Sequence, residues 1–369
     1  MYVSVKTKFS IAFFISLSWF VFCTWFSLSW IHDLSLYIGL FFAFLIIMLM
    51  ALIPGFMNMF LMIAYLLDKR PEPKPVKKWL DVTILVPAFN EEQHIKNTID
   101  GILKQEYAGK IEIIAIDNAS KDNTLAILNS YKVSNLVVLE EHKQGKSHAL
   151  NTGLAVAKYD YIISLDSDTL LWENAISELV IRLLSGPPNT AAVAGSVYVR
   201  NSRDSFMAKV QEWDYFNAIS SVKRMQSLFQ GTLVAQGALS LYKKSCIEEL
   251  GGWPHTVGED IVLTWGLLSK DYRVDFAENA IGFTSVPTSY KIFFHQRSRW
   301  ARGMVEAFLA YPGILIRPKM ITWIVYWNLL FPALDTTFAF AFVPGLIAAL
   351  FGNYIVAGPM TLAVLPITI

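Results

Sequence analysis

The sequence predicts an α/β domain, a mostly parallel sheet with helices on both faces, flanked by transmembrane helices. Three observations predict it. Residues 9–67 and 320–369, 109 positions together, carry only two acidic or basic side chains, Asp33 and Asp335. Between them, 57 charged side chains in the 252 positions 68–319 make about 23%, close to the roughly 25% of soluble proteins. Within that middle block, short β-branched runs alternate with helical segments, the pattern of βαβ units.

Taken in chain order, residues 9–31 have the length of one crossing, at about 1.5 Å per residue against a hydrocarbon core of about 30 Å. A signal-peptide core is shorter and is not followed directly by a second apolar run. Residues 34–67 exceed one simple span, so a kink at Pro54-Gly55, or an end lying along the interface, is expected. Lys6 and Lys8 precede the first span, and Lys69, Arg70, Lys74, Lys77 and Lys78 follow the second. The positive-inside rule then puts both ends of this hairpin, and the middle domain, in the cytoplasm of a multi-pass cell-membrane protein. Arg297, Arg299, Arg302, Arg317 and Lys319 precede the next apolar run on that same side. Residues 320–350 give a third span, and 354–369 start a fourth that stops short of crossing. Such an end fits either a truncated piece of a longer protein or a partial insertion. Asp335 in the third span either lines a polar path or lies near the interface or pairs with a neighbouring helix.

The Pro-rich run at 71–75 reads as a stiff linker. Strands are expected at 82–86, 111–116, 136–139 and 161–165, each too short for a buried helix. Asn90 is expected to cap a helix starting at Glu91, with Gln93 closing an N-x-x-Q capping box, and further helices follow Asp122 and Lys146. Ligands of such sheets bind beyond the carboxyl ends of the strands. Four polar clusters stand there: P-A-F-N-E at 87–91, D-N-A-S-K-D at 117–122, G-K-S-H at 145–148 and Asp166-Ser167-Asp168. Turn chemistry accounts for any one of them; four on one rim make a nucleotide-sized site.

Several chemistries are excluded. Lys plus Arg, 31, nearly cancels Asp plus Glu, 30, so no broad positive field collects nucleic acid. Two cysteines, Cys23 and Cys246, build neither a disulfide framework nor a zinc site. Gly145-Lys146-Ser147 looks like the end of a phosphate loop, but Glu140 stands where that motif needs glycine. Neither H-E-x-x-H nor G-x-S-x-G occurs. What remains is carboxylate chemistry. Asp166 and Asp168 suit a hard cation, Mg2+ or Mn2+, bridging to a diphosphate. Glu259-Asp260, after a G-G-W-P turn, stands at a helix start as dipole partner or, with burial and like charge, as a general base. Q-R-S-R-W at 296–300 is either an interfacial anchor or a fork and ring face for a diphosphate and a sugar.

The order P-x-x-N-E, D-N-A-S-x-D, G-K-x-x-A-L-N, D-S-D, G-E-D and Q-R-S-R-W resembles the membrane-embedded, inverting family 2 glycosyltransferases, from about residue 80 to 310. That group holds cellulose, chitin, hyaluronan and poly-N-acetylglucosamine synthases, and the resemblance implies a GT-A type fold. It implies that Pro87, Asn90, Glu91 and the Asp117/Asn118 pair hold the uridine and Lys146 the diphosphate. Asp166 would face the nucleotide and Asp168 the metal. Asp260 would be the base, Gln296, Arg299 and Trp300 would close over donor and acceptor, and Gln236-Gly237 would touch the acceptor sugar. Two departures stand out: D-N-A-S where relatives commonly read D-D-G-S, and G-E-D where they often read T-E-D. The implied domains are a transmembrane hairpin at 1–67, a cytoplasmic transferase domain at 68–302, and an interfacial helix with membrane segments at 303–369.

The implied reaction moves a sugar, N-acetylglucosamine first, from a UDP-sugar to a growing β-linked polysaccharide, coupled to translocation across the lipid bilayer. The alternatives are a single transfer to a lipid acceptor and a non-catalytic binding subunit. A membrane partner subunit is left open.

Overall fold

The computed structural model describes residues 3–70, 72–73, 75–229, 231–358 and 361. The linker expected at 71–75 falls partly outside these residues, and so does most of 354–369. The chain forms two compact units, residues 1–69 with 322–369, and residues 70–321.

The first unit opens with α1 (Val5–Phe26) and α2 (Leu28–Ile38). The Ser4 hydroxyl caps α1 by accepting from the Thr7 N–H at 3.2 Å. Gly39, at φ +81°, breaks the chain before α3 (Leu40–Ile47), a conformation open to glycine and rare for other residues. A π turn over Met48–Leu52 then leads into α4 (Ile53–Leu66). Pro54 lies in the first turn of α4, and the wider π turn just before it absorbs the hydrogen bond that its missing N–H removes. The expected bend is thus a change of helical register within one 27-residue apolar helix, Leu40–Leu66. Lys8 is 2% exposed, and its ammonium donates to the Lys69 carbonyl at 2.8 Å.

The second unit is built from strands and helices in alternation. In order they are β1 (Val82–Ala88), α5 (Ile95–Leu103), β2 (Ile111–Asp117), α6 (Thr124–Ser130), β3 (Leu136–Glu140), α7 (Lys146–Val156) and β4 (Tyr161–Leu165). Next come β5 (Leu170–Leu171), α8 (Ala175–Ser185), β6 (Thr190–Val199) and α9 (Phe206–Asp214). A π turn over Tyr215–Ser221 joins α9 to α10 (Val222–Leu228). The unit continues with β7 (Leu239–Lys243), α11 (Lys244–Glu248), α12 (Glu259–Ser269), β8 (Arg273–Thr284) and α13 (Tyr290–Ala310). A helix of α14 (Met320–Thr337), a π turn over Phe338–Phe342 and α15 (Val343–Leu350) makes the third apolar helix. In the first unit the Trp323 ring meets Phe13 and Phe56 edge-on, at 5.3 and 5.5 Å between centroids.

The eight strands form one sheet in the order β3-β2-β1-β4-β7-β6-β8-β5. β1, β2, β3 and β4 pair in parallel, as the βαβ pattern requires. β6 and β8 are also parallel, whereas β7 runs antiparallel between β4 and β6, and β5 antiparallel to β8. The sheet is therefore mixed, its antiparallel part lying in the half where sequence periodicity located no strand. Every residue of β1 is buried, which is why its run V-T-I-L-V-P-A does not alternate. Pro87 is tolerated there because pairing with β4 ends at Leu85 and Ser164, so its missing N–H leaves no ladder bond open.

One helix start moves. α5 begins at Ile95, not Glu91, and Asn90 is not its cap: it sits at φ +55°. Its backbone N–H donates to the Ser120 hydroxyl at 3.0 Å, and its side-chain oxygen accepts from the Lys121 N–H at 2.8 Å. Bonding across to the neighbouring loop has replaced bonding along its own chain.

Candidate active site

The loops after β1, β2, β3 and β4 meet on one edge of the sheet and are sewn to one another. Besides the Asn90 bonds, the Asp122 carboxylate accepts from the Glu92 N–H at 3.1 Å and from the Thr124 N–H at 3.0 Å. Asn118 is 3% exposed, and its amide donates to the carbonyls of Glu141 and Lys143 while its oxygen accepts from the Gly145 N–H at 2.7 Å. Asn118 therefore anchors the loop that starts α7, which gives the first departure from the family pattern a structural use. Asp117 differs. One oxygen accepts from the Ser120 N–H at 3.2 Å, and the other is buried without a hydrogen-bond partner.

Gly145, at φ +139°, turns the chain into α7. Lys146 then reaches Asp166 at 2.5 Å and Glu259 at 3.5 Å. Burial works against its ammonium, but Asp166, Glu259 and Asp260 outweigh it and hold the group charged well above the usual lysine range. A Cβ on Gly237 would stand 2.3 Å from the Lys146 nitrogen, so Gly237 leaves the path for that side chain. In the same motif as Lys146, Asn151 clamps the Trp253 backbone on both sides, at 2.8 and 2.9 Å. That fixes the turn leading to α12.

At the other end of the chemistry, the Asp260 carboxylate accepts from the Gly237 N–H at 3.0 Å and from its neighbour Ile261 N–H at 2.7 Å. Glu259 is 8% exposed, and burial, with Asp260 adding to it against Lys146, pushes its carboxyl up to about 7. Asp168 accepts from the Thr284 hydroxyl at 3.0 Å, and burial and the Asp166 charge raise its carboxyl. Glu91, half-buried, is pushed up to about 7 by burial and then by Asp168 and Asp166. Carboxylates that repel one another in this way are short of positive charge.

The second departure also has a cause. A Cβ on Gly258 would fall 2.5 Å from the Gly303 Cα, so α13 crosses the start of α12 at backbone contact. Glu306, one turn along α13, accepts from the Val257 and Gly258 N–H groups at 2.9 and 3.3 Å. α13 carries Q-R-S-R-W. The Gln296 side-chain oxygen is buried without a partner, and Arg299 is exposed. Arg297 stacks over Trp300 at 4.3 Å and pairs with Asp214. Trp300 also meets the Tyr215 ring at 6.2 Å.

Of the residues expected from sequence, Lys146, Asp166, Gly237 and Asp260 share one connected network, and Asp168 and Glu91 border it electrostatically. Sequence reading missed Tyr215, Lys223, Arg297 and Glu306. Tyr215 is 4% exposed and lies in the field of Arg297, Asp168 and Asp166, with burial raising its hydroxyl. Arg297 stood inside a motif already singled out; the other three sit in helices whose patterns match an ordinary packed or solvated face.

Comparison with known proteins agrees with this geometry. Residues 83–251 match the model of glycosyl transferase family 2. The chain is 32% identical over 250 residues to a poly-beta-1,6-N-acetyl-D-glucosamine synthase of Staphylococcus aureus, covering 67% of this chain and 60% of that protein. The same-named protein of Staphylococcus epidermidis is 32% identical over 231 residues, 62% of this chain and 55% of its own length. The chain thus spans 55–60% of these relatives. Among solved structures, mannosyltransferase PcManGT from Pyrobaculum calidifontis, in complex with GDP-Man and Mn2+, matches at TM-score 0.66 and 25% identity. That match covers 84% of this chain and 89% of the other. The matched segment holds the four strands, their sewn loops and the Lys146–Asp166 contact, so residues 83–251 form a glycosyl transferase family 2 domain.

Proposed function

We propose that this chain transfers a sugar from a UDP donor to the end of a growing β-linked polysaccharide with inversion, N-acetylglucosamine being the first donor to test. The relatives' names support that sugar. The observation that carries the mechanism is the network running from Asp260 through Gly237 and Lys146 to Asp166. It puts a fixed carboxylate, Asp260, at one end and the charged Lys146, paired with Asp166, at the other.

In this reading Pro87, Asn90 and Glu91 shape the uridine pocket, and the unpartnered Asp117 oxygen accepts a uracil N–H. Asn118 acts through the loop it anchors. Asp166 faces the nucleotide beside Lys146. The repelling carboxylates suit a hard cation, and Asp166 and Asp168 would hold Mg2+ or Mn2+. Such an ion supplies positive charge against the leaving diphosphate. Among the described residues no three His, Cys, Asp or Glu side chains form a metal cage, so its other ligands would come from the donor and water. Asp260 takes the acceptor hydroxyl proton as that oxygen attacks the anomeric carbon opposite the diphosphate, and Lys146 meets the charge of the departing UDP. Gln236 and Gly237 border the acceptor, while Gln296, Arg299 and Trp300 close over both sugars.

Three apolar helices, Val5–Phe26, Leu40–Leu66 and Met320–Leu350, with basic residues at their flanks, support the reading of a multi-pass membrane protein with its transferase unit on the cytoplasmic side. We include coupling to translocation in the proposal: vesicles that deposit polymer only on the donor side would reject it.

The deciding experiment is UDP release by the purified full chain across a panel of UDP-sugars and GDP-Man with Mg2+ or Mn2+, followed by product sizing. A ladder or long polymer is expected. One sugar per lipid would replace this reading with the single-transfer one, and no nucleotide release under any condition would leave only a binding role.

A further inference from the structure

Lys223 of α10 is 7% exposed, yet among the described residues no hydrogen bond or ion pair holds its ammonium. Burying an unpaired amine is costly. Its setting is rigid: Met225, Gln226, Ser227 and Leu228 of the same helix are buried. Gln226 accepts from the Leu233 N–H and the Thr232 hydroxyl, both at 3.2 Å, tying α10 to the segment before β7. That segment is fixed at each step. The Ala235 N–H donates to the Thr264 hydroxyl at 2.9 Å, the Ala235 carbonyl accepts from the Tyr242 hydroxyl at 2.7 Å, and the Gly237 N–H donates to Asp260.

Two polar atoms are left over in this clamp. Gln236 donates to the Gly195 carbonyl at 2.5 Å, while its oxygen is buried with no partner. Lys223 has donors and no acceptor. The two do not satisfy each other. Asp260 is the group whose charge reaches Lys223, and burial, partly opposed by Asp260, brings the amine down to about 7.

Sugar hydroxyls are each donor and acceptor, so the hydroxyls of one sugar can satisfy an unpaired amide oxygen and an unpaired ammonium. We propose that Lys223 positions the acceptor sugar beside Asp260, donating to an acceptor hydroxyl while Gln236 receives one. This deepens the transferase reading and rests on it. Lys223 touches substrate through its ammonium and takes no proton in the step, so its loss should weaken acceptor binding and leave the donor pocket as it was.

The test uses the full chain with its best donor and a soluble β-linked N-acetylglucosamine oligosaccharide as acceptor. Lys223→Met is expected to raise the acceptor KM by about ten- to a hundredfold, the range for a lost hydrogen bond to a charged group. UDP affinity by calorimetry should hold, and the thermal midpoint should rise because a buried unpaired amine has gone. Lys223→Arg, which keeps the donors, should recover part of the KM. An unchanged acceptor KM in Lys223→Met would overturn the proposal. So would a lowered thermal midpoint with kcat and KM failing together and no gain from arginine, the mark of a packing role. If the wild-type chain transfers no sugar at all, the acceptor and this role fall together, which separates failure of the underlying reading from failure of Lys223 alone.

Discussion

The two halves of the site solve the problem of holding polar groups in place by different means. On the nucleotide side, loops after four parallel strands are bonded loop to loop through Asn90, Asn118 and Asp122. Most polar atoms there are satisfied, and the one buried side-chain oxygen of these loops without a partner belongs to Asp117. On the proposed acceptor side, helices α10, α12 and α13 bring in side chains by close packing. Among the described residues, the Gln236 and Gln296 oxygens and the Lys223 amine there have no hydrogen-bond partner. The contrast teaches that the first half is built to keep a shape, while the second leaves polar groups open, as the proposed acceptor role requires. Unpaired buried groups cost stability until a ligand completes them.

The largest expected effect tests the hinge between the halves. Asp260→Asn keeps the shape of the side chain and removes the base, so transfer should fall by about a thousandfold, within the range for general-base removal. UDP affinity should stay, because the proposed nucleotide loops are bonded to one another and not to Asp260. UDP release and calorimetry on one preparation decide it, and unimpaired turnover would reassign the base.

A smaller loss is expected from Gly258→Thr, which writes the T-E-D pattern in place of G-E-D. The new Cβ would collide with the Gly303 backbone at 2.5 Å, and backbone does not yield as a side-chain tip does. α13 must shift, and Gln296 and Trp300 must move with it. Transfer should drop by about ten- to a hundredfold, with roughly 1–3 kcal/mol of stability lost. Full activity would mean that α13 is not positioned by this crossing.

The same contrast explains what could be read without coordinates. Strands β1 to β4 and their polar ends were legible, since each is a β-branched run that ends in turn-forming residues. The direction of β7 was not, because pairing direction depends on where the chain returns from and not on its local pattern. Asp166, Lys146 and Asp260 were legible as motifs. Lys223 was not: V-K-R-M-Q looks like any helix with a solvated face, and only tertiary packing buries it. Nor was Asn90, whose bonding to the next loop outweighed the local capping signal.

An intermediate effect concerns pH. Glu259 is buried, and its carboxyl is raised from 4.5 to about 7 in the folded protein. A raised acid favours the folded state below its unfolded value, and that contribution is lost as pH climbs from about 4.5 through 7. Glu259→Gln should therefore flatten the fall of the thermal midpoint between pH 5 and pH 7.5. About 1–3 kcal/mol is at stake, which corresponds to several degrees for a unit of this size. An unchanged slope would place that carboxylate's titration elsewhere, and with it the idea that the acceptor half stores unfavourable charge.

The smallest effect belongs to the nucleotide half. Ala119 sits at φ +60°, in the left-handed region where a Cβ crowds the following carbonyl and costs about 1–2 kcal/mol. The D-D-G-S pattern that this segment resembles has glycine there. The strain is borne because Asp117 before it and Ser120 after it are both committed, one oxygen of Asp117 accepting the Ser120 N–H and the Ser120 hydroxyl accepting the Asn90 N–H. Ala119→Gly removes the clash but adds roughly 0.5–1 kcal/mol of backbone entropy to be lost on folding. The net gain should be about 0.5–1 kcal/mol, a rise of a few degrees in thermal midpoint, with UDP affinity unchanged. A fall in stability would show that the left-handed turn carries little strain, and that the sewn loops, rather than residue preference, set its shape.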